Sequence, residues 1–267
     1  MRSRLLILLA VLIQVGVEAQ TRAGENTNDA KILAPQGTLR AAFLGGNPSL
    51  GRVDKQTGVV TGPVADMVKE LARQLAVPYQ LIPAADARDI IGRLQAHTAD
   101  LGFMAFNAGR AEEVDFSHAW LMMPNSYVVL RESPIQKVSD ADQAGLLLGA
   151  VKNDTQDVWL SANLKNAKVK QVPALPSVPE IQRMLESKEI VAFAANRQRL
   201  IEAVSNRPQL RVVADNFSVA GQSVAVPKTS AGALDAINRR VDGILSTSLV
   251  KNSIEKAGLK GVDAALP

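Results

Sequence analysis

Residues 98–120, TADLGFMAFNAGRAEEVDFSHAW, decide the fold. A short apolar run, residues 101–106, ends at the polar turn Asn107-Ala108-Gly109, and Arg110 follows at the start of a predicted helix. The run has the length of a buried strand, so this order predicts a guanidinium at the carboxyl end of a strand, beside free N–H groups of a helix N-terminus. Both groups attract anions, and a carboxylate is the simplest ligand that suits them.

The first 19 residues have the pattern of an export signal. Arg2 and Arg4 precede the apolar run of residues 5–17, and Val17-Glu18-Ala19 fits the small-x-small rule for cleavage. The run is too short to span a bilayer as a stable helix, so a membrane anchor is the weaker alternative. We predict a cleaved signal over residues 1–19, a flexible lead-in over residues 20–35 and a soluble mature protein.

The amino-acid composition limits the cellular compartments and the classes of function that are expected for this protein. The chain has no Cys, and therefore neither a disulfide nor a cysteine for lipid attachment, which favours a Gram-negative periplasm. The formal charge of +4 is spread along the chain, so nucleic-acid binding is not expected. His97 and His118 lack neighbours at metal-ligand spacing, and no catalytic triad or phosphate loop occurs. We therefore expect no metal, no cofactor and no enzyme activity.

Predicted strands alternate with predicted helices from residue 36 onward, which favours a parallel sheet with its functional residues at the carboxyl ends of the strands. The first strand, near Leu39, ends in Gly45-Gly46-Asn47-Pro48, where glycines allow a tight turn or close approach to a ligand. After a strand at residues 126–131 the same plan repeats without any repeat in sequence. The length of the chain suits either one large α/β domain or two α/β lobes.

The opening segment resembles the defining segment of the bacterial extracellular solute-binding proteins, family 3, the amino-acid type. The chain keeps Asp100, Arg110, Asp115-Phe116-Ser117 and Trp120, and it has Asn107 where that family usually has Thr or Ser. Further pieces follow in the expected order over residues 36–260: GTLRAAFL, GPVADMVKELARQL, GAVKNDTQDVWL, SKEIVAFAAN, QSVAVPK and AINRRVDGILSTSLVKNSIEKAGL.

This resemblance implies an α/β protein of the type II periplasmic binding protein fold, with two α/β lobes joined by two crossover hinge segments. We place the first lobe at residues 36–131 and 221–267 and the second lobe at residues 132–220. The crossovers are then expected near residues 131–134 and 215–221. In such a fold the ligand lies in the cleft between the lobes, and closure of the lobes buries it.

The resemblance also implies a set of ligand-binding residues. Arg110 is expected to bind a carboxylate, although an exposed helical pair with Glu113 is the alternative. Asn107 either contacts the ligand or only caps the helix. Asn153, Asp154 and Thr155 stand where the family usually has Ser-Gly-Thr, and Thr155 is equally a plain N-cap. The complete predicted set is Asn47, Ala105, Phe106, Asn107, Arg110, Asn153, Asp154, Thr155 and Asn196.

Two departures from the family bear on the ligand. Asn196 stands where amino-acid binders usually have an Asp that receives the α-ammonium group, so either the ligand lacks that group or Asp154, if it does not simply face solvent, takes over. Pro48-Ser49-Leu50 and Ala84-Ala85-Asp86 lack the usual aromatic residues. A smaller or more polar ligand is expected.

We therefore predict a monomeric periplasmic protein that delivers a small polar carboxylate, an amino acid or a related solute, to the ABC permease of the inner membrane by hinge closure. A periplasmic ligand sensor is one alternative. The other is an enzyme, because the stretches NLKNAKVKQV and ANRQRL resemble cyclohexadienyl dehydratases. Those enzymes have Glu three residues after the Asp that ends the strand. Arg199 occupies that place here, so the proton-transfer group is lost.

Overall fold

The structure is a computed structural model and describes residues 27–266. Its strands are β1 Leu39–Leu44, β2 Arg52–Val53, β3 Val60–Thr61, β4 Tyr79–Ala84, β5 Leu101–Ala105, β6 Val114–Leu130, β7 Leu147–Val151, β8 Lys168–Val172, β9 Ala192–Asn196, β10 Leu210–Val212, β11 Ser218–Pro227 and β12 Asp263–Ala264. Its helices are α1 (residues 27–33), α2 Pro63–Leu75, α3 Ala87–Gln95, α4 Ala108–Ala111, α5 Thr155–Asn163, α6 Val178–Glu186, α7 Arg197–Val204, α8 Ala233–Leu245 and α9 Leu249–Lys256, with a 3₁₀ helix at Val138–Ala141. None of these helices is both long enough and apolar enough to cross a lipid bilayer.

One sheet runs through the molecule in the order β4-β1-β5-β11-β6-β9-β7-β8, and β10 and β12 add to β6. The strands β4, β1 and β5 are parallel at one end, and β8, β7 and β9 are parallel at the other. The long strands β6 and β11 lie between them as an antiparallel pair. The expected α/β plan with two lobes and two connecting segments is confirmed.

Each lobe has its own core. Leu121, Met123 and Val224 pack in the core of the first lobe, whereas Tyr127 and Val129 pack in the core of the second. Residues 121 and 123 and residues 127 and 129 of the same strand, β6, therefore pack in different cores. The two lobes are separate bodies, and the strands β6 and β11 connect them.

The crossing on β6 lies near Asn125, which is paired with Ser218 of β11. The second predicted crossover, residues 215–221, contains Ser218 and agrees with this position. The first, residues 131–134, is wrong, and so is the lobe boundary at residue 131. The turn at Arg131-Glu132, closed by the N–H of Ser133 and the carbonyl oxygen of Leu130, marks the end of β6 inside the second lobe. The crossing itself is continuous extended backbone, so no turn residue signals it.

The structure also corrects the prediction of a flexible lead-in over residues 20–35. Helix α1 packs on the first lobe through Leu33, and Asp29 is 1% exposed. The Asp29 carboxylate accepts hydrogen bonds from Arg239 at 2.7 Å and from Arg240 at 2.7 and 2.9 Å. The prediction of a flexible segment is therefore wrong for residues 27–35, because these partners lie far away in sequence on α8. The predicted signal and residues 20–26 lie outside the described residues.

The motif residues around the site mostly hold the first lobe together. Asp100 accepts the backbone N–H and the guanidinium of Arg40, at 2.6 to 3.0 Å, and so fastens β5 to β1. Ser117 accepts the N–H of Val224 at 2.9 Å and so joins β6 to β11. These contacts fix the strand whose carboxyl end carries Asn107 and Arg110.

Candidate functional site

A cavity of about 1000 Å³ lies between the lobes. Its walls come from the segments that follow β1, β4, β5, β7 and β8, from the end of β9, and from the crossover strands. The carboxyl ends of the parallel strands of both lobes therefore face one another, as expected for ligand sites in open α/β sheets.

Eight of the nine predicted ligand-binding residues line this cavity: Asn47, Ala105, Asn107, Arg110, Asn153, Asp154, Thr155 and Asn196. Phe106 does not line it. Its side chain is 52% exposed and packs edge-on against Phe116, with ring centroids 5.4 Å apart. Successive side chains of an extended segment point to opposite sides, so Phe106 faces away from the wall that Ala105 and Asn107 form.

Arg110 lies at the contact between the lobes. Its Nη1 donates to the carbonyl oxygen of Ala105 at 3.0 Å, and its Nη2 donates to Oδ1 of Asp154 at 2.9 Å. The Arg110 side chain is 10% exposed, and that of Asp154 is 43% exposed. The alternative pair with Glu113 does not form in the part of the chain that the structure describes; Glu113 accepts from Gln95 instead.

Asn107 and Asn196 are both helix caps. Oδ1 of Asn107 accepts the N–H of Arg110 at 2.8 Å, and Oδ1 of Asn196 accepts the N–H of Arg199 at 3.0 Å. The capping role of Asn107 is confirmed. It leaves the amide nitrogen free to point across the cleft, where Nδ2 lies 3.4 Å from the carbonyl oxygen of Asn153.

The loop after β7 is held by a residue that the sequence analysis missed. Asp157 is buried and accepts from the N–H of Asn153 at 2.8 Å and from the Gln171 amide at 2.9 and 3.0 Å. Helix α5 begins at Thr155, so the N-cap position belongs to Asp154 and not to Thr155. The Asp154 side chain makes no capping bond and is thereby available to Arg110.

Arg199 is a second guanidinium in the cavity wall. Its Nη2 donates to the carbonyl oxygen of Gly46, in the opposite lobe, at 2.5 Å. Burial lowers the pKa of Arg199 below its ordinary value, and the charges of Asp154 and Glu202 partly oppose that shift. In the sequence, Arg199 was considered only because it stands where the dehydratases have a catalytic Glu. Its position at Asn-x-x-Arg, the spacing of Asn107 and Arg110, is the signal that could have identified it.

Polar side chains of the crossover strands complete the wall. Gln156 donates to Oδ1 of Asn125 at 2.7 Å, and Asn125 donates to Ser218 at 3.0 Å. Gln222 is 4% exposed, and its Oε1 has no hydrogen-bond partner within residues 27–266. A buried acceptor of this kind requires a donor, which a ligand or a water molecule supplies. Asn125 and Gln222 could not be identified from the sequence, because a strand pattern does not show which polar side chain faces a cleft.

Of the described residues that line the cavity, none is aromatic. Ser49 and Leu50 are buried inside the first lobe, whereas Ala85 and Asp86 form part of the wall. The walls therefore offer charge and hydrogen bonds in place of a stacking platform, in line with the smaller or more polar ligand that the sequence predicts.

The comparisons with known proteins agree with this geometry. Residues 39–257 match the family described as bacterial extracellular solute-binding proteins, family 3, and the chain belongs to that family. No curated protein is similar enough in sequence to count as a relative.

Several solved structures share the fold. The L-cysteine solute receptor of Neisseria gonorrhoeae is 22% identical, with a TM-score of 0.68 over 86% of this chain and 92% of that one. An L-arginine-bound substrate-binding protein of an amino acid ABC transporter from Streptococcus pneumoniae is 21% identical, with a TM-score of 0.67 over 84% of this chain and 96% of that one. An ancestral amino-acid-binding protein, a precursor of cyclohexadienyl dehydratase, is 20% identical, with a TM-score of 0.66 over 86% and 98%. The chain is a solute-binding protein of the type II periplasmic fold.

Proposed function

We propose that this protein binds a small carboxylate-bearing solute in the periplasm and delivers it to an ABC permease of the inner membrane. The observation that carries the proposal is the position of Arg110, whose nearly buried guanidinium lies at the lobe contact and already binds a carboxylate, that of Asp154. A ligand carboxylate of the same geometry replaces Asp154, which is exposed enough to turn toward water.

Closure follows from the way the lobes meet. In the part of the chain that the structure describes, no apolar core cluster spans both lobes. The contacts across the cleft are polar: Arg110 with Asp154, Asn107 with Asn153, Arg199 with Gly46, Arg52 with Glu202, and Lys260 with Gln198. Each contact of this kind contributes little free energy to closure where water reaches it. A ligand that binds both lobes at once therefore shifts the population to the closed form.

The proposed compartment and partner rest on the family and on the N-terminal pattern. The family is extracellular, and residues 1–19 have the composition of a cleavable export signal. A protein without Cys for lipid attachment requires a compartment that retains it, which a Gram-negative periplasm provides. We propose that it acts as a monomer and that the permease recognises the closed lobes.

We propose binding without catalysis. Arg199 occupies the place where the dehydratases have Glu, and a guanidinium does not transfer protons near neutral pH. Asp154, the half-buried carboxylate of the cavity wall, is bound to Arg110 before the solute binds and turns toward water once the solute carboxylate replaces it. Neither group serves as a general acid or base in this arrangement.

The test is a thermal-shift screen of the chain without residues 1–19 against amino acids, other carboxylates and amines, followed by calorimetry. Carboxylates are expected to raise the melting temperature, since they bind the folded state alone. Arg110→Gln should lower the affinity for every carboxylate by about 30-fold or more, which is the loss expected when a desolvated charge-assisted pair is removed. Arg73→Gln, an exposed residue of the same lobe, is the control of equal charge. Retention of full carboxylate affinity in Arg110→Gln would refute the proposal.

A further inference from the structure

The two lobes present the same side-chain unit to the cleft. In the first lobe β5 is followed by Asn107 and, three residues on, Arg110; in the second lobe β9 ends in Asn196 and is followed, three residues on, by Arg199. Both strands hold the same place in the sheet, third from the edge in a parallel set and next to a crossover strand. In both units the Asn accepts the N–H of its Arg. Arg199 is therefore the counterpart of Arg110 in the opposite lobe.

The two guanidinium groups differ in what they bind. Arg110 has a carboxylate partner, Asp154. Arg199 has none within 4.0 Å anywhere in residues 27–266, and its Nη2 donates only to a backbone carbonyl oxygen, that of Gly46. Glu202, on the same helix, is occupied by Arg52 and Gln198. Arg199 is thus a half-buried cation that lacks a bound counter-charge.

We propose that Arg199 is a second anion-binding residue of the cleft and that the solute is a dianion, a small dicarboxylate held by Arg110 on one lobe and by Arg199 on the other. This inference rests on the proposed function, since it takes the same cleft and the same closure. It adds the ligand class and assigns a specificity-determining role to a residue outside the predicted site.

Charge balance supports two negative groups on the solute. Once a ligand carboxylate displaces Asp154 toward water, the half-buried cations of the cavity wall are Arg110 and Arg199. The remaining charged residues of the wall, Asp86, Arg88, Glu113 and Lys152, are exposed, and salt and water screen them. A dianion compensates both guanidinium groups, whereas a monocarboxylate leaves one of them desolvated without a partner.

Closure then has a direct physical cause. Each carboxylate takes the strong charge-assisted bonds of one lobe only, so neither lobe alone binds the whole solute. Bringing the lobes together adds the second set of bonds. The Arg199 contact with Gly46 already crosses the cleft, which places this guanidinium within reach of the first lobe when the cleft is shut.

Calorimetry with matched ligands tests the inference. The probes are malonate, succinate, glutarate and adipate, each compared with the monocarboxylate of equal carbon number, and L-glutamate compared with L-norvaline. For at least one pair the dicarboxylate is expected to bind about tenfold tighter or better, the value of one additional hydrogen bond to a charged group. Arg199→Gln should remove that preference by lowering the affinity for the dicarboxylate far more than the affinity for the matched monocarboxylate, and Arg199→Lys should keep part of the preference.

The control is Arg183→Gln, which removes an exposed positive charge from the same lobe and should leave the preference intact. If the wild-type protein binds monocarboxylates or L-norvaline as tightly as every dicarboxylate, or if Arg199→Gln weakens both classes equally, Arg199 is only a structural contact and the inference fails. The proposed function survives either result, since carboxylates still bind. If no carboxylate of either class binds, the proposed function fails, and the inference fails with it.

Discussion

Nη2 of Arg110 lies 2.9 Å from Oδ1 of Asp154, and the two residues belong to opposite lobes. Under the proposed function, Asp154 therefore occupies the guanidinium that would bind the solute carboxylate. Family members usually have Gly in its place, as the resemblance indicates. In this chain the carboxylate joins the two lobes through Arg110, and we propose that it competes with the solute carboxylate for that guanidinium.

Asp154→Asn is expected to strengthen the binding of carboxylates. The variant removes the competing charge and keeps the size of the side chain. Less free energy is therefore needed to separate Arg110 from residue 154 when a ligand carboxylate binds. We expect affinity for carboxylates without an amino group to rise by about tenfold, the value of one charge-assisted hydrogen bond. Isothermal titration of the best carboxylate at two salt concentrations measures the effect.

Glu186→Gln is the matched control for that experiment, since it removes an exposed negative charge from the same lobe. An unchanged or lower affinity in Asp154→Asn would contradict the competition. A selective loss of amino-acid binding would show instead that Asp154 receives an ammonium group.

Asn196→Asp tests the departure at the end of β9. Asp caps a helix as well as Asn does, so folding stability should change little. The new carboxylate lies next to Arg199, supplies the counter-charge that this guanidinium lacks, and repels an anionic solute. We expect dicarboxylate affinity to fall by about tenfold or more and an amino acid with an α-ammonium group to gain affinity. Urea unfolding checks that the cap is intact, and an unaltered dicarboxylate affinity would count against the second anion site.

The strands and most helices could be predicted from the sequence because their signals are local. Helix α7 begins at Arg197, directly after its cap Asn196, and Asp86 caps α3 through a bond to the N–H of Asp89 at 2.8 Å. Arg110 and Asn107 could be placed in the cleft because strand and turn adjoin in sequence. These features depend on a few consecutive residues, which a linear pattern records.

Other features depend on distant residues and could not be predicted. The packing of α1 requires Asp29 to meet Arg239 and Arg240. The crossing at Asn125 requires Ser218, the first residue of β11 and far away in sequence, to pair with it. The equivalence of Arg199 and Arg110 appears only when the strand order places β9 and β5 at corresponding positions in the two lobes.

Asp29→Asn is expected to lower the free energy of unfolding by about 3 kcal/mol, because it leaves Arg240 buried without its carboxylate partner. The partial exposure of Arg239 reduces its share of that loss. Urea unfolding followed by circular dichroism measures the change. Glu255→Gln, an exposed residue of α9, should shift the midpoint only slightly. Equal midpoints for both variants would mean that the ion pairs of Asp29 do not contribute to the stability of the first lobe.

Asp142→Asn should destabilise the protein at neutral pH and not in acid. The N–H groups of Ala167, Lys165 and Asn166 donate to this carboxylate at 2.8 to 3.0 Å and hold its pKa below the ordinary 3.8. The folded state therefore binds the proton less tightly than the unfolded state, so the stabilisation is complete above the unfolded pKa and disappears as pH falls through the folded one. Urea unfolding at pH 7 and near pH 3 measures the effect, and the difference in midpoint between variant and wild type should narrow in acid. Asp235→Asn, which changes an exposed carboxylate on α8, is the control. A gap of constant size would mean that the charge of Asp142 does not contribute to the stability of this loop.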